Sequence, residues 1–594
     1  IEINKDLLPL KAHYFLFNAG TAPIVPFVPT IAKQMGFSSV VVGTIYTVLP
    51  IVGMITKPLF GAIADKFHRQ KLLFLLFQVL TIISFFLIMF IPSIPQEAKV
   101  KFHCHGTTDL KYCPQDTDPP LNECITNKLT SGNQNQTLTC FMDCEAKPFM
   151  WDVVCKHWKE EQYCDVKNIT DPTRLRFTTL IQMNKIELID KCLMFVVSGG
   201  YFNDGTDSRK VLYCPETEKE YFSTDCDVVC DNTAVTDLLS VSRIENKDAT
   251  KLYQFWLFFI LLILSWAGMA VVVSVGDAIC FEMLGSKPHL YGNQRLWGAV
   301  GWGTLSLFAG FLVDKLSQGQ SYKNYTIVFY MMLIMISADM FVSYKLKFSQ
   351  TKLSQNMLRD VGKLFTSIRV VLFFVWCILV GLCTALIWNF LFWHLEDLAA
   401  QQPDCDHTVW MKTLQGLAMT IQCFAGELPF FFLSGWILKK IGHINAMSLV
   451  LLGFGVRFLL YSSLTNPWWV LPIEIMQGIT FGVFYSTMAS YASIVAPPGT
   501  ETTIQGLVGA IFEGVGVSSG SLIGGILFAN IGGSETFKIF GIITLICFVV
   551  HVCIQKFLEK VLGPKEAQYS APVDALYMLQ EDEHEPNLNL SPPN

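Results

Sequence analysis

The sequence predicts an all-α polytopic membrane protein: twelve transmembrane helices in two six-helix halves, with a large disulfide-rich extracellular insert between helices 3 and 4. Three observations support this prediction: the composition, a series of recurring apolar runs, and a polar cysteine-rich segment that interrupts them. Of 594 residues, 52% are hydrophobic and only 15% are charged. This leaves too little polar surface for two or three soluble domains.

Apolar runs long enough to cross a bilayer recur along most of the chain. A span needs roughly 20 mostly apolar residues to cross a hydrocarbon core of about 30 Å. Twelve such runs lie near residues 10–32, 41–62, 72–92, 253–284, 294–314, 325–345, 370–392, 409–435, 444–464, 468–493, 505–530 and 536–557.

The loops between these runs differ in charge. Lys and Arg are concentrated in the connections between predicted spans 2 and 3, 6 and 7, and 8 and 9, which all lie on one side. Because basic loops are retained in the cytoplasm, both termini are expected to be cytoplasmic in a multi-pass protein of the plasma membrane. Three sequons fall on the opposite side and predict N-glycosylation, at Asn135, Asn168 and Asn324.

Six predicted spans precede a basic connection and six follow it. Two halves of this kind are typical of transporters that bind solute at mid-membrane, although a twelve-span scaffold without transport is an alternative. The predicted units are 1–92 (helices 1–3), 93–252 (extracellular insert), 253–345 (helices 4–6), 346–369 (cytoplasmic linker), 370–558 (helices 7–12) and 559–594 (disordered cytoplasmic tail).

The insert contains an unusual density of cysteine. Because it has few apolar runs, we expect disulfides to hold it together in place of a large core. Zinc binding by "CFMDC" and "CDVVC" is disfavoured, since no His pair follows at finger spacing. With Cys405 of the 7/8 connection the predicted external cysteines number twelve, so we expect six disulfides, one of which ties Cys405 to the insert. The insert's eleven are Cys104, Cys113, Cys124, Cys140, Cys144, Cys155, Cys164, Cys192, Cys214, Cys226 and Cys230.

The connection between predicted spans 2 and 3 reads "GAIADKFHRQK". It resembles the signature of the major facilitator superfamily, in which a carboxylate and cations in a short turn lock one access state. His68 replaces the second glycine of that signature, and the echo "GWILKKIGH" in the second half lacks the acid. The resemblance implies the major facilitator fold and gating roles for Gly61, Asp65, Lys66, Arg69 and Lys71.

Two opposite charges flank the turn between predicted spans 4 and 5. Asp277 and Arg295 each lie about 10–15 Å from the turn centre along their helices, so they can meet. An unpaired charge at membrane depth costs about 3 kcal/mol, so we expect an ion pair, either structural or functional.

The run "GDAICFEMLG...YGNQRLWGAVGWG" resembles the same hairpin of lactose permease and its nucleoside-symporter relatives. There the acid and the Arg bind sugar hydroxyls and a Trp stacks on the sugar ring. The resemblance implies these roles for Asp277, Arg295 and Trp302, with Asp one methylene shorter than the family's Glu.

Polar residues also lie in the predicted spans of the second half. Glu427 in "FAGELPFFF" and Arg457 in "GVRFLLY" match lactose permease residues that act in sugar binding and proton coupling. The family's His and Glu of span 10 fall on Gln477 and Thr480, which do not titrate. Glu474, one turn from Gln477, is therefore a candidate proton carrier, with a structural partnership to Arg457 as the alternative. Gln477 is a candidate solute ligand.

Further acids have less specific surroundings. Asp339 and Glu513 are predicted within spans, where a proton relay and an inward packing contact are both open. The cluster "FWHLEDL" places His394, Glu396 and Asp397 at the outer end of predicted span 7. An interfacial cap is favoured over an outer gate for this cluster.

The helices resemble those of the family of major facilitator superfamily domain-containing protein 6, through "QRLWGAVGWG", "FWHLEDL", "IGHI" and "VLPIEIMQG". A large insert between spans 3 and 4 is a further likeness, although the sequence of the insert itself does not match. Asp277, Arg295, Trp302 and Glu427 together lead us to expect a secondary-active transporter of a small polar solute, sugar- or nucleoside-like, with protons as candidate coupling ion. The alternative is a cell-surface receptor whose ectodomain binds an extracellular protein ligand. An enzyme is not expected, because no nucleophile stands beside a base or metal ligand set. The sequence predicts no cofactor, metal or nucleic-acid partner; the lipid bilayer is the expected environment.

Overall fold

A computed structural model gives the architecture of the chain. It describes residues 7–67, 70–92, 99–113, 137–147, 150–159, 164, 171–189, 192–202, 211–214, 222–232, 235, 239, 246–284, 291–318, 323–346, 367–402, 409–495 and 501–562. Outside these residues lie 563–594 of the predicted tail, most of the predicted linker, and Arg69, Cys124, Asn135, Asn168 and Cys405.

Four helices precede the insert: α1 (Leu8–Thr21), α2 (Val28–Gln34), α3 (Ser39–Phe67) and α4 (Gln70–Ile88). A 3₁₀ turn, Val25–Phe27, separates α1 from α2. Pro26 and Pro29 stand at the starts of the turn and of α2, where a missing backbone N–H is tolerated. The first predicted span is thus two helical pieces joined by a turn.

The insert is a closed antiparallel barrel with the strand order β1-β2-β5-β4-β3-β6. Its elements are β1 (Lys99–His105), β2 (Thr107–Tyr112), β3 (Thr137–Glu145), α5 (Met150–Lys156), β4 (Arg174–Ile189), β5 (Cys192–Tyr201), β6 (Phe222–Cys230) and α6 (Asn246–Ala249). The prediction of an all-α chain is therefore wrong for the insert.

The barrel also encloses a hydrophobic core of its own, in which Phe102, Trp158, Phe177 and Phe195 are fully or almost fully buried. The expectation of little core was wrong because a barrel strand needs an apolar residue only at alternate positions. Strand β3 alternates in this way along "TLTCFMDCE", burying every second side chain. Such strands contain no long apolar run.

Among the described residues, five disulfides join the strands and loops of the insert. Cys140–Cys230 and Cys144–Cys226 link residues that face each other directly on β3 and β6. The cysteines of "CFMDC" and "CDVVC" are thereby occupied as disulfides. The other three bonds are Cys104–Cys214, Cys113–Cys192 and Cys155–Cys164.

Helices make up the rest of the described chain: α7 (Tyr253–Leu284), α8 (Tyr291–Leu316), α9 (Thr326–Ser343), α10 (Ile368–Ala400), α11 (Met411–Ile421), α12 (Leu428–Ser462), α13 (Val470–Glu474), α14 (Phe484–Val495), α15 (Glu501–Ala510) and α16 (Ser518–Leu562). A 3₁₀ turn, Pro467–Trp469, precedes α13. Three π-helical turns, Gln422–Glu427, Gly478–Val483 and Ile511–Val517, precede α12, α14 and α16.

Within the described residues, nine helical stretches are long and apolar enough to cross a membrane. Two of them, residues 411–462 and 506–561, are more than twice the roughly 20 residues that one crossing needs. Each contains a break, at Gly442 (φ 78°) and at Gly532 (φ 77°). Only glycine adopts such positive φ values readily, so these two glycines allow the chain to reverse there.

The first half (α1–α4 and α7–α9) and the second half (α10–α16) meet mainly through two pairs of helices, α3 with α16 and α8 with α11. Small residues allow their backbones to approach closely. A Cβ added to Gly43 of α3 would lie 2.5 Å from the Ser521 carbonyl oxygen, and one on Gly416 of α11 would lie 2.4 Å from that of Ser306. Both contacts lie on the side of the bundle from which the barrel emerges, here called the barrel side; the opposite side is the distal side.

Candidate functional site

The Asp277 carboxylate of α7 and the Arg295 guanidinium of α8 form an ion pair. Arg295 Nη1 donates to both carboxylate oxygens, over 3.0 and 3.1 Å, and the Tyr14 hydroxyl of α1 donates to Oδ1 over 2.8 Å. The side chains remain 24% (Asp277) and 39% (Arg295) exposed. The ion pair is therefore partly accessible and not sealed within the protein.

Trp302 lies two turns beyond Arg295 on α8 and is half-buried. The glycines on either side of it pack closely against different partners. A Cβ on Gly301 would lie 2.4 Å from the Phe15 carbonyl oxygen of α1, and one on Gly303 would lie 2.9 Å from Cys423 Cβ in the second half. Helix α8 thus carries Arg295 and Trp302 along the boundary between the halves.

A second ion pair spans the two halves. Lys57 Nζ of α3 donates to Glu513 Oε2 over 3.1 Å, and both side chains are partly exposed. Glu513 lies in the π-helical turn before α16. Lys57 was not singled out from the sequence, although a Lys within an apolar run is a signal for a functional position.

Tyr485 of α14 connects these charges. It lies within electrostatic range of Asp277, Arg295, Lys57 and Glu513. The two ion pairs therefore face one region at the boundary between the halves, rather than two unrelated sites.

Glu427 and Gln477 approach the same region from the second half. Gln477 Nε2 donates to Glu427 Oε1 over 3.3 Å, and Glu427 lies within electrostatic range of Arg295 and Arg457. The close approach is made possible by Gly426, whose added Cβ would lie 3.0 Å from Gln477 Cβ. Each residue adjoins a π-helical turn, a local distortion that is frequent at functional sites.

Arg457 is fully buried and bound on all sides by second-half residues. Its Nη2 donates to Glu474 over 2.6 Å, its Nε to the Tyr461 hydroxyl over 2.7 Å, and its Nη1 to Gln477 over 2.6 Å. Glu474 also accepts hydrogen bonds from Tyr461 and Gln422. These contacts agree with the structural alternative given for Glu474, in which its carboxylate neutralises the Arg457 guanidinium.

A small cavity adjoins this cluster. Its volume of about 10 Å³ is the space for roughly one water molecule. The cavity places water-sized space beside Gln477, between α10 and the other helices of the second half. Its lining residues are Thr384, Ile387, Trp388, Phe454, Gln477, Thr480 and Phe481.

The predicted gating motif is only partly described. Gly61, Asp65 and Lys66 lie in α3, where the structure describes their backbone alone, and Arg69 lies outside the described residues. Lys71 is described, and its ammonium lies 4.4 Å from the centre of the Tyr344 ring of α9.

The barrel side of the bundle carries a network of charges across the halves. Lys33 Nζ contacts Asp397 Oδ1 at 2.6 Å and Glu396 Oε2 at 3.5 Å, and Glu396 also binds Lys412 of α11. These contacts join α2 of the first half to α10 of the second. Because these contacts cross from one half to the other, they fit the outer-gate interpretation of the "FWHLEDL" cluster better than an interfacial cap of one helix.

Asp314 of α8 makes a second connection on the barrel side. Its Oδ2 accepts from the Thr413 backbone N–H and hydroxyl, over 2.6 and 2.8 Å, and its Oδ1 accepts from Lys323 over 2.7 Å. His394 has a different role from its neighbours in "FWHLEDL": it is buried, with its Nε2 3.3 Å from the Tyr461 carbonyl oxygen. Glu396, Asp397 and Asp314 are therefore the acids that hold the halves together here.

Several known proteins resemble this chain. The frog (Xenopus laevis) major facilitator superfamily domain-containing protein 6-like protein A is 22% identical over 590 residues, which cover 96% of this chain and 93% of the relative. The maltose permease of Geobacillus stearothermophilus is 23% identical over 304 residues, 50% of this chain and 72% of that protein.

Two solved structures and one protein family also resemble this chain. The nucleoside transporter NupG superposes with a TM-score of 0.53 at 12% identity, covering 93% of this chain and 99% of NupG. The peptide transporter PepTSo2 gives 0.51 at 10% identity, covering 93% and 98%. Both show a shared helical transporter fold. The model of the MFS_1 like family matches residues 7–539. The chain is therefore a multi-pass membrane transporter that belongs to the MFS_1 like family of the major facilitator superfamily.

Proposed function

We propose that this protein moves a small polar solute, sugar- or nucleoside-like, across the plasma membrane by secondary-active alternating access. The observation that carries the proposal is the meeting of both halves at one charged region. Asp277–Arg295 and Lys57–Glu513 flank Tyr485, and Glu427 faces Arg295 from the second half. A solute bound there would contact both halves and so sense their relative movement.

The chemistry of this region suits a hydroxylated ring. The carboxylate of Asp277 accepts hydrogen bonds and the planar guanidinium of Arg295 donates several, so together they match neighbouring hydroxyls. Trp302 offers an aromatic face for the apolar face of the ring, and Gln477 offers both a donor and an acceptor. The relative named a maltose permease and the structural neighbour named a nucleoside transporter suggest these two solute classes.

The described conformation supports alternating access with the barrel side closed. Lys33–Asp397 and Asp314–Thr413 tie the halves together there, while Arg295 stays partly exposed. We take the barrel side as extracellular and both termini as cytoplasmic. Exposed Asn324 lies on the barrel side and is a proposed glycan site together with Asn135 and Asn168. Division at Gly442 and Gly532 turns the nine long apolar stretches into eleven, and the segment 467–495, which contains α13 and α14, supports a twelfth span.

Uptake into proteoliposomes tests the proposal, with labelled uridine and labelled maltose as probes. We expect Arg295→Ala and Glu427→Gln each to lower uptake of the transported probe roughly tenfold or more, since a lost charged hydrogen-bond partner costs about 1.5–3 kcal/mol. Glu535→Gln is the matched control, because Glu535 is exposed and pairs only within its own helix. Unchanged uptake in both site variants would show the site to be wrong; no uptake of either probe would exclude the two solute classes.

A receptor function is the second candidate, and the barrel favours it. The barrel has its own core and carries neighbouring apolar side chains on its surface, Phe141 of β3 and Val229 of β6, 39% and 63% exposed. Because Lys99 pairs with Asp227, the two ends of the barrel are adjacent, so a short linker can replace residues 99–230. If the protein is a receptor, removing residues 99–230 would abolish binding of its protein ligand. If it is a transporter, the shortened protein would still transport solute, provided that it reaches the cell surface.

A further inference from the structure

A buried histidine and aspartate lie behind the solute site in the first half. His13 Nδ1 of α1 is 2.9 and 3.0 Å from the two carboxylate oxygens of Asp339 on α9. The side chains are 3% (His13) and 0% (Asp339) exposed. Phe17 and Phe74 pack against the imidazole ring, which closes the pair off from solvent.

The other described partners of Asp339 are neutral. Gln78 Nε2 donates to Oδ2 over 2.7 Å, and the Ser343 hydroxyl lies 3.4 Å from Oδ1. With a neutral imidazole, the pair would carry one uncompensated negative charge. One added proton removes that charge, and an isolated charge in the bilayer interior costs about 3 kcal/mol or more. The surroundings therefore favour a pair that holds one exchangeable proton.

Other charged groups near the ring are engaged elsewhere or face away. On α4, Lys71 lies against the Tyr344 ring. On α7 and α8, Asp277 and Arg295 neutralise each other. On α1 itself, Lys11 precedes His13 by two residues, about 200° around the helix. The charge of the His13–Asp339 pair is thus set by its own proton.

The pair adjoins the solute site directly. His13 is followed by Tyr14, whose hydroxyl donates to Asp277. On the other side of the ring, His13 Nε2 would lie 3.0 Å from a Cβ on Gly276, the residue before Asp277. A proton gained or lost at His13 therefore changes the charge next to both the residue that binds Asp277 and the helix that carries it.

We propose that His13 and Asp339 form the proton-binding site that couples proton movement to solute transport; this rests on the proposed function above. Loading adds one proton and takes the pair from a net charge of −1 to 0. Unloading returns that proton to water on the side of the membrane toward which the solute site is then open. This site lies in the first half, whereas in the second half the Glu474 carboxylate is engaged by Arg457 and Tyr461.

Proton counting on the purified full-length protein tests the site independently of any solute. Between about pH 8 and about pH 5, we expect Asp339→Asn to bind about one proton fewer than the wild type, because the buried amide carries no negative charge for a proton to neutralise. The control Glu535→Gln removes an exposed carboxylate that is paired within its own helix, and it should bind as many protons as the wild type over the same interval. An Asp339→Asn protein that binds as many protons as the wild type would overturn the proposal.

A coupled-flux experiment covers the case in which Asp339→Asn does not fold. In proteoliposomes, uridine or maltose uptake by the wild type is expected to carry protons inward, detected with an entrapped pH dye. We expect His13→Gln to abolish this proton flux while solute exchange persists. The control His443→Gln removes a second-half histidine that contacts Ser490 and should keep the flux. Proton flux in His13→Gln equal to that of the wild type would refute the proposal. If neither solute is transported, the proposed solute classes fail and proton counting still decides the site.

Discussion

The Lys33 ammonium of α2 lies 2.6 Å from an Asp397 carboxylate oxygen of α10, and this contact joins the two halves on the barrel side. Lys33 also lies 5.0 Å from the centre of the Trp393 ring, one helical turn before Asp397. Its charge is thus held by second-half groups alone. Separating the halves on this side would break these contacts, so in the proposed alternating-access cycle the pair belongs to the state in which the barrel side is closed.

Asp397→Asn removes one of the two carboxylates that face Lys33. We expect it to weaken barrel-side closure by about 1 kcal/mol, roughly a fivefold shift toward the open state, since partly exposed ion pairs contribute modestly. The measurement is the labelling rate of Ser306→Cys by an impermeant maleimide added from the barrel side, because Ser306 is 1% exposed when this side is closed. Lys538→Ala, which breaks an exposed pair within one helix, should not change the rate. Equal rates in Asp397→Asn and its parent would contradict the gate.

Gly43→Val should open the same side by steric means. An added Cβ meets the Ser521 carbonyl oxygen at 2.5 Å and Gly525 Cα at 3.1 Å, and overpacking of this kind costs about 1–3 kcal/mol. We expect faster labelling of Ser306→Cys than in Asp397→Asn. Gly506→Val is the matched control, because a Cβ at Gly506 meets no described atom within 4 Å. Labelling that stays slow in Gly43→Val would mean that α3 and α16 do not form the closure.

What the sequence could predict depends on the distance between partners along the chain. The apolar runs are local, so the helical membrane region could be read from composition. Asp277 and Arg295 are 18 residues apart on one hairpin, so their meeting followed from helix geometry. Lys57 and Glu513 are 456 residues apart and in different halves, and only the packing of α3 on α16 brings them together.

Neither the barrel nor the His13–Asp339 pair was predicted from the sequence, for related reasons. Alternating strands such as β3 spread the core over short segments between loops, so the insert appeared polar. The sequence did not indicate that His13 lies beside Asp339, because their contact depends on how α1 packs against α9. In the second half, Arg457 and Glu474 were visible as charges in apolar runs, but their fully buried partnership required the fold.

Arg457→Leu should destabilise the second half strongly. The change leaves the buried Glu474 carboxylate without its cation, and breaking a buried ion pair costs about 3–5 kcal/mol. The double variant Arg457→Leu, Glu474→Leu should recover much of this loss, because no isolated charge remains. Thermal unfolding of the purified protein measures both, with Lys538→Leu as the exposed control. A double variant no more stable than Arg457→Leu would show that Glu474 is not held by charge compensation.

Both cysteines of the predicted sixth disulfide can now be named. Five described bonds account for ten of the eleven insert cysteines and leave Cys124, so the bond that ties Cys405 to the insert is predicted to be Cys124–Cys405. Both residues lie outside the described part of the chain. Non-reducing digestion and mass mapping should find one peptide pair containing them; a free thiol at Cys405 would disprove the bond.

A reactive-thiol count gives the same test in a variant. Cys405→Ala should expose one new maleimide-reactive thiol, at Cys124, whereas Cys377→Ala should expose none because Cys377 is a buried free cysteine. The bond would connect the insert of the first half to the segment between α10 and α11 of the second. That segment follows α10, the helix of Asp397, so the bond would tether the barrel beside the Lys33–Asp397 contact. If the tether favours closure of the barrel side, Cys405→Ala should speed the labelling of Ser306→Cys from that side.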